Sequence, residues 1–426
     1  MAWKYTPQLA SQIKHFASFP QTGISLHQMV QFGSNSSQGT LFRASQFIHE
    51  ELPIRLAHRV KELAELPDNL NEMPSINKVK EWYAQSFEDL TTMERPTLTP
   101  ELRSMLKGNG NGSASLPSTT RNLTTEQYSS NRNQNNGMRR SVPVQARYYG
   151  KVEDVSWPPE ITSFNDRLAK SLNVIKRRHD SVVTTMAQGI LEYKKAKQRS
   201  SINKDIQAFL DRFYMSRIGI RMLIGQHIAL LTEPPREDYV GVICTKTSVP
   251  NILQEAIDNA RFICEDYYGL YDAPKVQLIC PSHLNFMYVP GHLAHVAFEV
   301  LKNSLRAVVE THGVDKENFP PVKVIVVEGA EDITIKISDE GGGIPRSAMP
   351  LVWTYMYTTA ESQDLDPDFN KSDFKAPMAG FGYGLPISRL YARYFGGDLK
   401  LESLDGYGTD CYINLNRLSS SEEPLP

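Results

Sequence analysis

The chain has 426 residues, 40% of them hydrophobic, and its 46 basic and 48 acidic side chains leave a formal charge of −2 at pH 7. A chain of this length can bury substantial cores and suits two domains better than one oversized domain. The balanced charge excludes a generic polyanion-binding surface, which points away from nucleic acid and leaves open only a local basic patch, and no apolar run approaches bilayer-crossing length, which predicts a soluble protein that would need a partner to reach a membrane.

Residues 1–24 begin a stretch, Met1 to His49, that holds no acidic residue and carries Lys4, Lys14 and Arg43. This is partly the composition of a mitochondrial presequence, although arginine is scarce, and an ordinary acid-poor segment running into a folded domain has the same composition. From about Ser25 to Leu98 apolar residues recur at helical spacing, as in FIHEELPIRLAHRVKELAEL and INKVKEWYAQSFEDL, which predicts amphipathic helices. Between about 99 and 152 the composition turns to Asn, Ser, Gly, Thr and Arg and the periodicity vanishes. Such a stretch cannot bury enough surface to offset its ordering entropy and reads as a disordered insertion. Helical spacing returns from Pro159 to Leu231, where LAKSLNVIKRRHDSVVTTMAQGILEYKKA and IQAFLDRFYMSRIGIRMLIGQHIALL read as two long helices.

The Glu233-Pro234-Pro235 triplet then breaks the pattern, since proline lacks a donor and disfavours helix at the preceding residue. A helical bundle is therefore expected over 25–235 and a second domain over 236–418, followed by a short tail, 419–426. In the second domain LQEAIDNARFICEDYY reads as a helix and KVQLIC as a short strand. VKVIVVEGAEDITIKISD reads as an antiparallel hairpin about Gly329-Ala330, with DCYINLN as a closing strand. The expected fold is an α + α/β protein: a helical bundle, then an α/β sandwich with one layer of helices on a mixed sheet. The four cysteines, Cys244, Cys264, Cys280 and Cys411, lie far apart without a CxxC pair. They fit neither a zinc site nor a disulfide framework, and read as buried thiols in a reducing compartment.

Four motifs in the second domain carry chemistry. In HVAFEVLKN, His295, Glu299 and Asn303 fall four apart and so on one stripe of a helix. Glu299 can accept the proton of an attacking hydroxyl, Asn303 can offer its carbonyl oxygen to Mg²⁺, and His295 can hydrogen-bond Glu299 and tune its basicity. In SDEGGGIP, Asp339 ends a strand and can accept from an adenine amino group, while Gly341 and Gly343 let backbone pass close to a planar ligand. In AGFGYGLP, Gly380, Gly382 and Gly384 lead into a helix whose N-terminal amides can face phosphate oxygens. GYGTD places Thr409 just before the last strand. Each motif alone is compatible with a solvated stripe or a turn; together, in this order, they specify an ATP site and a nucleotide-dependent phosphotransferase.

These residues resemble the N box and the three glycine boxes of the gyrase, Hsp90, histidine-kinase and MutL ATPase superfamily. RRHDSVVTTMAQG, DRFYMSRIGIRMLIGQH, EVLKNSLRAVVE, WTYMYTTA and MAGFGYGLPISRLYARYFGGDLKL are more specifically similar to the mitochondrial pyruvate dehydrogenase kinases, from about Ser25 to Leu418 apart from the insertion. The resemblance implies a serine kinase of the mitochondrial matrix that inactivates the pyruvate dehydrogenase complex, with a dehydrogenase subunit as protein substrate and ATP with Mg²⁺ as cofactors. It implies Glu299 as general base supported by His295, Asn303 on the metal, and Asp339 and Thr409 at adenine. Thr358 and Thr359 would stand at the nucleotide, and Gly380, Phe381, Gly382, Tyr383, Gly384 and Leu385 in the lid around the phosphates. Tyr83, Ser86, His179, Arg217 and Arg221 match the family's pocket for pyruvate-like acids, two arginines a helical turn apart making a carboxylate clamp.

A homodimer and the lipoyl domain of the acyltransferase core are the other implied partners. The Asp-Trp pair that the family carries in a longer tail has no counterpart in SSSEEPLP, which leaves the tail-mediated lipoyl contact without its residues. Three other readings stand beside this one. The sister kinase of the branched-chain complex is suggested by YVGVICTKTS, although His295 and GFGYGLP favour pyruvate. The others are an ATP-gated scaffold without catalysis and a histidine autokinase using His179, whose following SVVTTM lacks the usual proline.

Overall fold

The structure is a computed structural model and describes residues 3–34, 37–100, 120, 122, 124, 157–198, 203–357 and 382–425. The chain divides into two compact units, one mainly Met1–Thr119 with Tyr128–Val242, the other Thr120–Gln127 with Ile243–Pro424. Among the described residues no helix is long and apolar enough to cross a membrane.

The first unit is helical: α1 Pro7–Phe16, α2 Leu26–Gly33, α3 Gln38–Ala64, α4 Pro74–Thr91, α5 Pro159–Arg178, α6 Val182–Lys197 and α7 Lys204–Thr232. Their starts follow local chemistry. Thr6 accepts from Leu9 N–H, Ser25 and Gln28 form a reciprocal capping box, and Pro159 opens α5, where its missing donor costs nothing. The apolar stripes converge on one core, with Leu52 and Leu56 of α3, Phe87 of α4, Leu172 of α5 and Phe213 of α7 all buried. Each such side chain contributes roughly 1.5–3 kcal/mol by leaving water.

Three sequence expectations shift here. The unit reaches further toward the N-terminus than Ser25, because Leu9 and Ile13 of α1 are buried and Phe16 packs edge-on against Phe87 at 5.1 Å. The stretch 159–197 is two helices, not one. His179 caps α5 with its ring turned inward, and Asp180 and Ser181, both residues that favour turns, separate it from α6. The units divide between Val242 and Ile243 instead of after Pro235, because Gln226 of α7 bonds the Val240 carbonyl at 2.9 Å and the Val242 amide at 2.8 Å, holding β1 (Tyr239–Val240) to the bundle.

The second unit is α/β. Its elements are β2 Ile243–Ser248, α8 Val249–Tyr268, β3 Val276–Ile279, β4 Asn285–Tyr288, α9 Pro290–His312, β5 Val322–Glu328, β6 Asp332–Asp339, α10 Gly384–Tyr394, β7 Asp398–Leu404 and β8 Gly408–Asn416. Five strands form one sheet in the order β3-β5-β6-β8-β7, with β3 parallel to β5 and the other pairs antiparallel. Period-two alternation sets the register, since a one-residue slip would turn the apolar set to the other face. Val326 lies opposite Ile335, Ile335 opposite Ile413, and Ile413 opposite Leu399, a buried row across four strands. The hairpin and closing strand stand where the sequence places them; β2, β4 and β7 were not read from sequence.

Most of the insertion lies outside the described residues, but Thr120 and Asn122 are held within the second unit. Thr120 pairs with Ser421, and Asn122 donates to the carbonyl of Arg393 at 3.0 Å. The tail is likewise engaged: Ser419 bonds the Met287 carbonyl at 3.0 Å and buried Glu423 accepts from the Tyr394 hydroxyl.

Candidate active site

Helix α9 carries the first motif. Its buried side packs Val296, Ala297, Val300 and Leu301 into the core, and this rotates Glu299 and Asn303 together onto one wall of a cavity of about 460 Å³. The other walls are Gly341 and Gly343 after β6, Tyr357, and Gly382, Gly384 and Leu385 at the start of α10. Two of the glycine motifs thus meet Glu299 and Asn303 of the polar stripe at one place, in the size range of small-molecule sites.

Glu299 is only 7% exposed, and its Oε1 accepts from the Lys302 ammonium at 2.9 Å. Its Oε2 faces the first residue of α10, where a Cβ added to Gly384 would overlap that oxygen. Only glycine lets the helix N-terminus, with its unpaired amides, come this close. His295, one turn earlier, sits in T-shaped contact with Tyr391 of α10 at 5.0 Å and is not part of the cavity wall among the described residues. Arg306 and Glu310 also line the cavity and pair with each other at 2.8 Å.

Asp339 closes β6 and is buried. Its Oδ1 accepts from the amides of Gly341 at 3.0 Å and Thr409 at 3.3 Å, and Ser304, the neighbour of Asn303, bonds the same carboxylate. Burial raises the Asp339 pKa; these three donors pull it back and Asp410 pushes it further up. The adjoining loop runs tight against α9: a Cβ at Gly341 would overlap that of Ala307, while Thr311 Oγ1 donates to the Gly341 carbonyl at 2.9 Å. Thr409 reaches Asp339 through its backbone. Its hydroxyl is shared with Ser403 of β7 at 2.9 Å, and Ser403 also accepts from the Ile344 amide at 2.7 Å.

Tyr383 is buried as the N-cap of α10, in ring contact with Tyr355 at 5.2 Å. Thr358, Thr359, Gly380 and Phe381 lie outside the described residues. Sequence reasoning missed Lys302, Ser304, Thr311 and Ser403. The i,i+3 spacing of Glu299 and Lys302 was visible, but such pairs ordinarily lie on solvated helix faces. Among the described residues no group of three or more His, Cys, Asp or Glu side chains is placed to hold a metal. A divalent ion here would be held by the Asn303 carboxamide, nucleotide phosphates and water, which suits Mg²⁺, an ion that keeps much of its hydration.

The five residues of the second predicted site also come together, all within the helical unit. Tyr83 stacks on His179 with ring centres 4.4 Å apart. Ser86 Oγ donates to the Trp82 carbonyl at 2.7 Å, accepts from Arg178 at 2.8 Å and meets His179 Nε2 at 3.0 Å. Arg217 donates to the His179 carbonyl at 3.4 Å, and Arg221, a turn on, pairs with Asp180 at 2.9 Å. Burial and the neighbouring arginines hold the His179 pKa down to about 3, and burial pushes the Tyr83 phenol up to about 12. A neutral, almost fully buried imidazole committed to Ser86 is a poor phosphoacceptor, which argues against the histidine-autokinase reading. The Tyr83 hydroxyl is buried with no hydrogen-bond partner among the described residues, a position that a bound polar ligand would satisfy.

Comparison with known proteins agrees with this geometry. A family model described as mitochondrial branched-chain alpha-ketoacid dehydrogenase kinase matches residues 23–244, and one described as histidine kinase-, DNA gyrase B-, and HSP90-like ATPase matches 288–418. The chain is 48% identical to the mitochondrial pyruvate dehydrogenase (acetyl-transferring) kinase of Schizosaccharomyces pombe, covering 98% of each sequence. It is 38% identical to the Arabidopsis thaliana kinase of that name, covering 99% of this chain and 98% of the relative. Identity to the Homo sapiens isozyme 3 is 36%, over 100% of this chain and 90% of the relative.

Proposed function

Because the chain belongs to the mitochondrial pyruvate dehydrogenase kinase family, we propose that it is an ATP-dependent protein serine kinase of the mitochondrial matrix that phosphorylates and thereby inactivates the pyruvate dehydrogenase complex. The observation that carries this reading is the meeting of Glu299 and Asn303 with two glycine-rich segments, one with Gly341 and Gly343 and the other with Gly382 and Gly384, around one cavity.

ATP enters that cavity with adenine directed past Gly341 toward Asp339, which is not itself one of the cavity-lining residues; its carboxylate accepts from the exocyclic amino group while Ser304 and two backbone amides fix it. The triphosphate runs toward the α10 N-terminus, whose first-turn amides at Gly384 and Leu385 face phosphate oxygens. Asn303 would hold Mg²⁺, which would supply positive charge against the phosphates. Glu299 takes the proton of the acceptor serine hydroxyl as that oxygen attacks the γ-phosphorus. The transition state of such transfers is loose, so positioning and charge neutralisation do most of the work and the base adds roughly 10²- to 10⁴-fold. His295 is assigned to setting the face that α9 presents, through its contact with Tyr391.

In the same proposal, Tyr83, Ser86, His179, Arg217 and Arg221 form the regulatory site for a pyruvate-like acid, the arginines taking its carboxylate and the Tyr83 hydroxyl its oxo group. The enzyme acts as a homodimer, and the lipoyl domain of the acyltransferase core docks on it. The branched-chain complex is a second substrate candidate through YVGVICTKTS and the description of the matching family model, and the curated relatives do not favour it.

The test is direct. Full-length protein is incubated with each purified dehydrogenase complex and labelled ATP, and the phosphorylated residues are mapped. Label on a serine of the pyruvate dehydrogenase subunit is the expected result, and Glu299→Gln should keep nucleotide binding while losing transfer. Transfer that persists in that variant removes Glu299 as the base. Binding of ATP with no transfer to either complex by the wild type would leave the scaffold reading.

A further inference from the structure

Lys302 has no part in the mechanism above, yet it stands inside its cavity. Its side chain is 2% exposed, with the ammonium 2.9 Å from Glu299 Oε1 and 5.4 Å from the Phe298 ring centre. On an exposed helix face such an i,i+3 pair would be worth well under 1 kcal/mol. Here both members are dry, and taking two charges out of water costs several kcal/mol per ion before their attraction returns it. A hydrophobic pair of the same volume would often be as stable or more so, so stability alone does not account for a lysine at this position. The neighbouring cation, Arg306, is committed to Glu310 by two contacts, at 2.8 and 3.3 Å. Lys302 is therefore the cavity cation whose partner is the proposed base itself.

We propose that Lys302 is a positioning residue for phosphoryl transfer: it anchors Glu299 Oε1 so that Oε2, facing the first turn of α10 at Gly384, is the oxygen presented to the acceptor hydroxyl. This rests on Glu299 being the base. As the serine oxygen forms its bond to the γ-phosphorus, its proton passes to Glu299 Oε2. The bond from γ-phosphorus to the β,γ-bridging oxygen breaks, its electron pair leaving with ADP, and Glu299 later returns the proton to water. Before transfer the Glu299–Lys302 pair is neutral overall. Once the proton arrives, an unmatched ammonium faces the phosphoryl oxygens. The site thus gains positive charge in step with the chemistry, an interaction stronger in the transition state than in the ground state, which is the kind that accelerates a reaction.

Lys302→Met, Lys302→Arg, Glu299→Gln and the double variant Lys302→Met/Glu299→Gln are compared in the full-length protein, by thermal unfolding, nucleotide binding and steady-state transfer of label from ATP. Lys302→Met is expected to lower kcat about 10²-fold, the scale seen for single preorganised donors, with KM for ATP changed less than about threefold. Lys302→Arg should restore most of kcat. Since Lys302→Met strands a buried carboxylate, its melting temperature should fall; the double variant, with neither charge, should recover it and transfer no more slowly than Glu299→Gln alone. A loss confined to the KM for ATP, or an equal fold-loss from Lys302→Met in the wild-type and Glu299→Gln backgrounds, overturns the proposal. Full activity in Glu299→Gln would instead sink the assignment of the base, which keeps the two failures distinct.

Discussion

Replacing Gly384 with alanine sets two energies against each other. Alanine is the better helix former, by up to about 1 kcal/mol in a helix interior and less in a first turn, so the α10 start should not weaken. The added methyl, however, would occupy the place of Glu299 Oε2. That oxygen is the far end of a flexible side chain, and the cheapest response is rotation of the carboxylate while Oε1 keeps its 2.9 Å contact with Lys302. Breaking that contact instead would strand a buried charge at about 3–5 kcal/mol. Stability should therefore change by less than about 1 kcal/mol, whereas a base displaced by about 1 Å costs on the order of 10² in rate, close to 2.7 kcal/mol of barrier. The assay pairs thermal unfolding with the kcat for transfer to the pyruvate dehydrogenase complex, nucleotide binding being measured separately. An unchanged melting temperature with kcat down about 10²-fold is expected. A variant with kcat within threefold of wild type would refute the argument that the α10 approach sets the position of the base.

Two further outcomes follow from the helical unit. Tyr83→Phe removes a buried hydroxyl with no hydrogen-bond partner among the described residues, so stability should hold or rise by about 1 kcal/mol while the response of activity to pyruvate-like acids is lost; an intact response would remove Tyr83 from the effector site. Acid should destabilise this unit in a defined window. His179 and His227 are held neutral in the fold, each down to about 3 from the ordinary 6.5, while the unfolded chain takes up protons below 6.5. Their contribution is therefore full above pH 6.5 and is lost as pH falls from there toward 3. At pH 5.5 each costs between 1 and 2 kcal/mol, about 3 kcal/mol together. Denaturant unfolding followed by tryptophan emission at pH 7.5 and 5.5 measures it, since Trp3, Trp82 and Trp157 lie in this unit. Equal stability at the two pH values would contradict the burial argument.

What could be read beforehand had local causes. The stripe of Glu299 and Asn303 follows from helical period, the facing of Val324 with Ile337 from strand period, and the glycine segments from backbone conformations that other residues rarely adopt. The break at His179 was written in Asp180 and Ser181 but masked by apolar spacing that continues on both sides. The short strands β2 and β4 offered too few residues for a period to emerge.

The sequence by itself determined which side chains could do the chemistry and which helix or turn would carry each, because those are matters of spacing a few residues long. Only the tertiary structure decided that Lys302 faces the base and not solvent, that Ser304 and Thr409 close on Asp339, and that Tyr83, His179 and Arg217 meet. These contacts join segments tens of residues apart or depend on which face of a helix the core claims. Packing makes that choice, by burying the apolar stripe and turning whatever lies beside it into a shared, dry space.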